Sequence, residues 1–188
     1  MLLGLSGESW KVLYSKNCPS TCSAGQVDGQ PGWTFNVKDN RQPHYLLRSV
    51  PDSARNAIKD ANSSLVVVMT IDEVDLKSVQ DGGTNCYATV MMQRAGDNLS
   101  GQGQYAHYRQ WAGGAFRFPL VDSKFVTMTI PMDRLKWTGV WGQNAPADAW
   151  SGTLNNLSKI GVTLGGTSDF GHGIKGSGRL YMTKFEIV

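Results

Sequence analysis

The closing stretch of the chain, residues 158–188, most constrains the fold. Apolar and polar residues alternate in 158–164, a glycine-rich loop occupies 165–178, and a long second segment runs to Val188. Alternation with a period of two is typical of β-strands that bury one face. We therefore expect these two strands to form the closing hairpin of a β-sandwich, with the loop at one end of it.

Further strands are predicted along most of the chain. Alternating or β-branched apolar residues lie between turn residues in segments 9–14, 33–37, 44–50, 65–71, 87–94, 105–112 and 124–131. Two short helices are expected at 51–60 and 147–157, and residues 132–144 hold too many turn formers for a regular element.

The order of these elements favours one fold class. Helices do not separate most strands, so a parallel α/β sheet is excluded. A chain of 188 residues is long enough for one well-buried core and short enough to remain one domain. We predict a single all-β domain over residues 1–188, an antiparallel β-sandwich of the jelly-roll type with one or two short helices.

Charge and hydropathy limit the partners. Charged residues make up 18% of the chain and the net charge is +3, with the basic residues scattered along the sequence. A nucleic-acid interface would cluster them, so nucleic acid is not expected as a partner. No run of about 18 apolar residues is present, so no membrane span is expected. Residues 1–8 lack the basic start of a signal peptide, which leaves a cytosolic protein or one whose leader has been removed.

Several stretches of the second half carry a family resemblance. They are GQGQYAHYRQW at 101–111, VTMTIPMDRLKW at 126–137, IGVTLGG at 160–166 and FGHG at 170–173. Over about residues 85–188 the chain resembles a group of largely uncharacterised bacterial, mostly exported proteins that look like jelly-roll carbohydrate-binding modules. The resemblance implies a sandwich of the galactose-binding or carbohydrate-binding-module type, a poly- or oligosaccharide ligand, and an extracellular or periplasmic location.

The chain departs from that family at two places. The family usually has a cysteine before FGHG, where this chain has Thr-Ser-Asp at 167–169. If the family cysteine pairs with the position of Cys86, this chain has lost the partner. The second aromatic residue of the family's YRWW-like run is replaced by Gln110.

The cysteines are odd in number. Cys18 and Cys22 are close enough in sequence to form a disulfide across a small loop, which is the pairing we predict. A metal site is the alternative, but one short-spaced pair with no second pair or nearby histidine is poor support for zinc. Cys86 is expected to be a buried thiol rather than a nucleophile.

The segment 105–112 is the first candidate for ligand binding. As a strand it would place Tyr105, His107, Arg109 and Trp111 on one face and Tyr108 with Gln110 on the other. Aromatic faces stack on the apolar face of a pyranose, and the polar groups bond its hydroxyls. In the alternative interpretation, Tyr105 and Trp111 pack in the core while Arg109 pairs with a carboxylate at the rim of the sheet.

Two further residues are candidates for ligand contact. Trp141 either offers a second aromatic platform or caps the core under a loop. His172 lies between two glycines, and could contact a ligand, bind a metal or exchange a proton, or hold a turn through a backbone carbonyl.

Three classes of function are therefore considered. The first is a non-catalytic module that binds a carbohydrate through the residues above. The second is a glycan-active enzyme, a glycoside hydrolase or a polysaccharide lyase, suggested by His107, Tyr108, Arg109 and Glu73. The third is a structural or surface-interaction domain without a small ligand.

Calcium is the one ion that the sequence suggests. Sandwich modules often hold this ion between loops, where six to eight oxygens surround it. Acidic residues in predicted loops are Asp81, Asp97, Asp122 and Asp169. No three of them share a fixed spacing, so no ligand set is assigned.

Overall fold

The computed structural model describes ten stretches of the chain. They are residues 10–14, 20–21, 23–27, 30–37, 42–80, 82–100, 103–121, 124–139, 148–166 and 172–188. These residues form two antiparallel sheets and two short helices. The predicted all-β sandwich is confirmed. In the described part of the chain, no helix is long and apolar enough to cross a membrane.

The larger sheet has eight strands. They are β1 (Trp10–Tyr14), β2 (Ser20–Thr21), β5 (Pro43–Ser49), β7 (Tyr87–Arg94), β8 (Gln110–Ala112), β9 (Arg117–Pro119), β11 (Trp137–Gly139) and β12 (Leu157–Gly165). Their order across the sheet is β11, β8, β7, β12, β5, β1, β2, and β9 also pairs with β7. Strand β12 therefore lies at the centre of the sheet, between β5 and β7.

The smaller sheet has five strands. They are β3 (Ser23–Val27), β4 (Gln30–Val37), β6 (Ser64–Ser78), β10 (Lys124–Pro131) and β13 (Ile174–Ile187). The order is β10, β6, β13, β4, β3. The strand predicted at 65–71 belongs to β6, which has a neighbour on each side.

Two helices lie outside the sheets, α1 (Asp52–Lys59) and α2 (Ala149–Asn155), where the sequence predicts them. Helix α1 buries Ala54 and Ile58, four residues apart and so on one face. Helix α2 buries Ala149, Thr153 and Leu154.

The core lies between the two sheets. Strands of both sheets contribute alternate side chains to it, as period-two geometry requires. In β10, Ile130 is buried and Val126 and Met128 pack against the core, whereas Phe125, Thr127 and Thr129 are exposed. Trp10 of one sheet meets Phe185 of the other edge to face, with ring centroids 5.3 Å apart. The strand predicted at 124–131 is thus confirmed, and it buries one face only.

The prediction of a closing hairpin is wrong. Strand β12 pairs with β5 and β7 in the larger sheet, and β13 pairs with β4 and β6 in the smaller sheet. The chain therefore crosses from one sheet to the other between them. Alternation identifies which side chains of a strand face the core, but both sheets face the same core, so it cannot identify the neighbouring strand.

The expectation for residues 132–144 is also corrected. Arg134–Lys136 forms a 3-10 turn, and β11 follows it directly. Asp133 stabilises this turn because its carboxylate accepts a hydrogen bond from the Leu135 amide at 3.0 Å. Trp137 then enters the core, and its indole nitrogen donates to the Pro131 carbonyl at 2.9 Å.

Gly161, in the middle of β12, offers a test of the central pairing. A Cβ atom built on this residue would lie 2.0 Å from the Leu46 carbonyl oxygen, on the neighbouring strand. The obstructing atom belongs to the backbone and cannot rotate away as a side chain can. We therefore expect Gly161→Ala to lower the free energy of unfolding by about 1–3 kcal/mol or more, the usual cost of overpacking.

Urea unfolding measures this change, with Gly114→Ala as the matched control. At Gly114 the nearest atom to an added Cβ belongs to the Arg117 side chain, 3.7 Å away, so its stability should stay within about 0.5 kcal/mol. Equal midpoints for the two variants would contradict the placement of β12 against β5.

Candidate functional site

The segment 105–112 does not form one continuous strand, so the predicted division of its side chains between two faces is wrong. Ala106–Tyr108 is a 3-10 turn, and only Gln110–Ala112 is a strand. The turn is held by backbone bonds from the Tyr108 amide to the Tyr105 carbonyl and from the Arg109 amide to the Ala106 carbonyl, both 3.1 Å long.

Helix α2 accounts for this departure from the sequence pattern. The Thr153 hydroxyl, buried at the helix, lies against the carbonyl oxygen of Tyr108. The ring of Tyr108 rests on Gly152, where an added Cβ would meet it at 2.5 Å. A contact between residues 45 positions apart in sequence therefore sets the local backbone, which alternation along the segment cannot reveal.

The turn brings several candidate residues together at the surface. Arg94, at the end of β7, places its guanidinium carbon 4.1 Å from the ring centroid of Tyr105 and 4.5 Å from that of Tyr108. The His107 ring lies 4.4 Å from the Tyr108 ring at an interplanar angle of 41°. We call Arg94, Tyr105, His107 and Tyr108 the Arg94 cluster.

Glycine makes room for the Arg94 cluster. Gly96 has φ +83°, a left-handed conformation that side chains rarely adopt, and an added Cβ there would lie 2.8 Å from the Tyr105 ring. With Gly152 beneath Tyr108, both tyrosine rings are seated directly on backbone. Such seating fixes the rings before any ligand arrives, which lowers the entropy cost of binding.

The chemistry of the Arg94 cluster suits a polyhydroxylated ligand. His107 is exposed and Tyr105 and Tyr108 are half-buried, so an imidazole and two phenols are available near the surface. Over the described residues, Arg94 forms no ion pair, and its Nε donates only to the Ala95 carbonyl at 3.4 Å. The cluster therefore offers aromatic surface together with hydrogen-bond donors and acceptors.

Arg109 points away from the Arg94 cluster and into the protein. Its guanidinium donates to both carboxylate oxygens of Asp97, at 2.8 and 2.9 Å, and to the Ser100 carbonyl at 3.3 Å. The side chains of Arg109 and Asp97 are 3% and 0% exposed. This geometry agrees with the alternative interpretation, in which Arg109 pairs with a carboxylate.

Trp111 lies beneath this ion pair, on the outer face of the larger sheet. It forms a second apolar cluster with Tyr45, Leu47 and Met91, against which Leu99 packs. Leu99 has φ +66°, which is uncommon for a residue with a side chain. The loop residues 95–100 and 103–109 therefore lie over this face, and the buried Trp111 supports them.

Polar groups tie the loop to the sheet. The Gln93 side-chain amide donates to the Asp97 carbonyl at 2.7 Å, and the Asp97 carboxylate accepts from the Leu99 amide at 3.0 Å. Burial raises the pKa of the Tyr45 phenol above its usual value; Arg109 lowers it and Asp97 raises it further. Tyr45 is therefore close to the ion pair and remains protonated well into the alkaline range.

His172 lies far from the Arg94 cluster. Strand β12 begins where Leu157 pairs with Arg94 and ends at Gly165, and His172 follows that end of the strand. A strand of nine residues is about 27 Å long. The exposed His172 and the exposed His107 are thus at opposite ends of the sandwich.

Three of the predicted residues, Cys18, Cys22 and Trp141, cannot be placed. All three lie outside the described residues. Cys86 is buried, as expected, with its sulfur 4.0 Å from the Gly83 carbonyl oxygen.

The described residues contain no group of three or more metal-ligating side chains of the His, Cys, Asp and Glu types. Of the acids considered for calcium, Asp97 is paired with Arg109. Asp81, Asp122 and Asp169 lie outside the described residues.

Of the residues considered for lyase chemistry, His107 and Tyr108 lie together, but Arg109 does not join them. His107 is exposed, whereas Arg109 is buried in its pair with Asp97. Arg109 therefore has no free charge with which to neutralise a uronate carboxylate. Nothing is described of the Glu73 side chain.

Arg94 was not identified from the sequence. In the alternating segment 87–94 it occupies the last position, which reads as an ordinary polar strand end. The only signal is that a strand ending in Arg before Ala-Gly leads into a loop rich in glycine and aromatic residues. Only the folded structure brings Arg94 into contact with the rings of Tyr105 and Tyr108.

Comparison with known proteins supports the fold. No protein-family model matches the sequence, and no curated protein matches it significantly. Among solved structures, the chain is similar to the family 11 carbohydrate-binding module from Clostridium thermocellum, solved in complex with a β-1,3-1,4-mixed-linked tetrasaccharide. The TM-score is 0.51, the sequence identity is 12%, and the match covers 96% of this chain and 89% of that chain. The fold is that of a β-sandwich resembling a carbohydrate-binding module.

The ion pair between Asp97 and Arg109 generates a stability prediction. Removing one partner of a buried pair leaves the other charge uncompensated, so we expect Arg109→Met to lower the free energy of unfolding by about 3–5 kcal/mol. Chemical denaturation measures the loss.

Arg179→Met is the matched control for this prediction. Arg179 pairs with Asp72 at 3.1 Å, but the two side chains are 39% and 41% exposed, so its loss should cost less than about 1 kcal/mol. A similar loss in both variants would show that the loop 95–109 does not bury Arg109.

Tyr45 generates a prediction about alkaline pH. In the unfolded chain its pKa is about 10, and burial raises it in the folded protein. Above that pH the unfolded state ionises first, so the stability that the neutral phenol provides is lost as the pH rises. The free energy of unfolding of Tyr45→Phe should therefore decline less steeply than that of the wild type between about pH 9 and pH 11. Parallel declines would contradict burial of the phenol.

Proposed function

We propose that this chain is a non-catalytic carbohydrate-binding module and that the Arg94 cluster contacts its ligand. The cluster is the observation that carries the proposal, because it gathers aromatic rings and hydrogen-bonding groups at the surface of a fold that resembles such modules. Three of the residues predicted from sequence, Tyr105, His107 and Tyr108, belong to it. Arg109 and Trp111 serve the site by holding the loop from which it rises.

The arrangement of the Arg94 cluster defines how a sugar would bind. The guanidinium of Arg94 lies over both tyrosine rings, whose centroids are 6.2 Å apart, so Arg94 covers one face of each ring. His107 is the most exposed of the three rings in the cluster and is the group available to stack on a pyranose. The phenol hydroxyls and the remaining guanidinium donors then bond its hydroxyls, which is the usual division of roles in a carbohydrate site.

The proposed location is outside the cytoplasm. Its support is the resemblance of residues 85–188 to mostly exported proteins. Polysaccharides are encountered there, and the expected Cys18–Cys22 disulfide would persist in such a compartment.

Thermal unfolding against a panel of mono- and polysaccharides, with and without calcium, tests binding first. A ligand at 100 times its dissociation constant should stabilise the protein by about 2.7 kcal/mol. A shift with calcium alone would indicate a structural ion, and no shift with any sugar would favour the third class, an interaction domain without a small ligand.

Paired histidine variants then test the place of binding. For a sugar that stabilises the protein, we expect His107→Ala to weaken binding by about two- to tenfold, the factor expected from one lost aromatic contact. His172 is also exposed and lies at the other end of the sandwich, so His172→Ala should leave the affinity unchanged. Titration calorimetry measures both affinities. Equal affinities for the wild type and His107→Ala would show that the Arg94 cluster does not contact the sugar.

A further inference from the structure

The positive charge of Arg94 has no acidic partner among the described residues. An arginine side chain carries five N–H donors and stays charged in proteins. In Arg94 only Nε has an oxygen partner in the described part of the chain, the Ala95 carbonyl at 3.4 Å. The rings of Tyr105 and Tyr108 attract the cation through their faces, but they do not neutralise it. Arg94 therefore offers an uncompensated charge and several unused donors within the cluster.

The acidic residues on the elements packed around the cluster do not compensate this charge. Helix α2, strand β12 and the start of the loop pack there, and their described acids are Asp97 and Asp148. Asp97 is paired with Arg109. Asp148 precedes α2, whereas the Ala95 amide contacts the Asn156 carbonyl at the other end of that helix. A helix of seven residues is about 10 Å long, more than the screening length of about 8 Å at physiological salt.

Lys159 adds a second uncompensated charge at this end of the larger sheet. It is in register with Gln93, the residue before Arg94, on the neighbouring strand β12. Lys159 is half-buried and forms no ion pair with a described residue. The two cations thus lie on adjacent strands, whose backbones are about 4.8 Å apart. An excess of positive charge of this kind attracts anions.

The charge of Arg94 lies beside the ring proposed to stack on a sugar. The Tyr108 ring contacts both groups, since the His107 ring lies 4.4 Å from it and the Arg94 guanidinium carbon 4.5 Å from its centroid. One short oligosaccharide can therefore meet the imidazole and the guanidinium together. The planar guanidinium also matches two oxygens of a carboxylate or a sulfate at once, a pairing that a single sugar hydroxyl does not provide.

We infer that the ligand of the Arg94 cluster is an anionic glycan, whose sugars carry a carboxylate or a sulfate, and that Arg94 binds this group. The inference rests on the proposed function, because it takes the cluster to be a sugar-binding site. In this arrangement His107 stacks on the sugar ring and Arg94 pairs with the anion. Lys159 strengthens the attraction from the neighbouring strand. A neutral glycan would leave the charge of Arg94 uncompensated.

Titration calorimetry with charged and neutral forms of the same oligosaccharide tests the inference. Oligogalacturonides and oligomannuronates are each compared with their methyl esters, which keep the sugar ring and its hydroxyls but lose the negative charge. We expect the wild type to bind an acid about tenfold or more tightly than its ester, the effect of one charge-assisted contact. Added sodium chloride should weaken binding of the acid and leave that of the ester unchanged.

A sulfated ligand gives the second arm of the experiment. Oligosaccharides of κ-carrageenan carry sulfate and no carboxylate, and they are compared with their desulfated forms. A preference for the charged form in this arm alone identifies sulfate as the bound group, and a preference in the first arm alone identifies carboxylate.

Variants of Arg94 separate its role in binding from a role in folding. Arg94→Met covers the tyrosine rings without a charge, so the preference for the charged form should disappear. A purely structural loss would weaken both forms and leave their ratio unchanged. Arg94→Lys keeps the charge but not the planar donor arrangement, so it should retain part of the preference.

Lys77→Met is the matched control. Lys77 is exposed in β6, near the end of the sandwich where the Val79 amide donates to the Gly173 carbonyl at 3.1 Å. The substitution removes the same charge from the protein, far from the Arg94 cluster, so the ratio of the two affinities should not change. Thermal unfolding of each variant checks that the fold is retained.

The outcomes distinguish this inference from the proposed function. Equal binding of charged and neutral forms by the wild type, weakened in His107→Ala, would keep the proposed site and overturn the inference. A preference that survives in Arg94→Met would also overturn it, since the anion would then bind elsewhere. Binding of uncharged sugars alone has the same consequence. Absence of binding by every sugar tested would overturn the proposed function and this inference with it.

Discussion

The buried ion pair between Asp97 and Arg109 is the interaction on which the candidate site depends. Its charges are almost completely removed from water, so they are tolerated only because two hydrogen bonds join them. That pairing fixes the loop residues 95–100 and 103–109 on the outer face of the larger sheet. The turn that carries Tyr105, His107 and Tyr108 belongs to this loop, and Arg94 lies over its two tyrosine rings.

The two sheets consequently present different outer surfaces. The larger sheet has its outer apolar residues covered, since Tyr45, Leu47, Met91 and Trp111 are all buried. The smaller sheet leaves Phe125 in solvent and carries ion pairs at its surface. The outer face of the larger sheet is therefore a second small core, whereas that of the smaller sheet is not covered at Phe125.

The sequence predicted much of the fold because side chains on the inner face of a strand must be apolar, whereas those on the outer face can be polar. In 124–131 every second side chain is apolar, and the structure confirms that Val126, Met128 and Ile130 face inward. The same reasoning failed at 105–112, although the residues alternate there too. Helix α2 supplies Gly152 and Thr153 to this segment, and their contacts with Tyr108 stabilise a turn in place of a strand.

The candidate site was only partly predictable for a related reason. His107 and Tyr108 could be chosen because imidazole and phenol suit sugar recognition wherever they lie. Arg94 could not be chosen, since nothing near it in sequence distinguishes it from other polar strand ends. Arg109 was chosen for its chemistry, but whether it met a ligand or a carboxylate depended on a partner twelve residues away.

What the sequence by itself determined is the class of the fold and the inward or outward direction of most strand residues. These follow from hydrophobic burial acting on a backbone whose side chains alternate, which is a local property of the chain. Only the tertiary structure decided that β12 and β13 lie in different sheets, and that Arg109 is buried whereas Arg94 is half-buried against two tyrosine rings. Each of these depends on which distant segments come into contact, and contacts of that kind are set by the packing of the whole molecule.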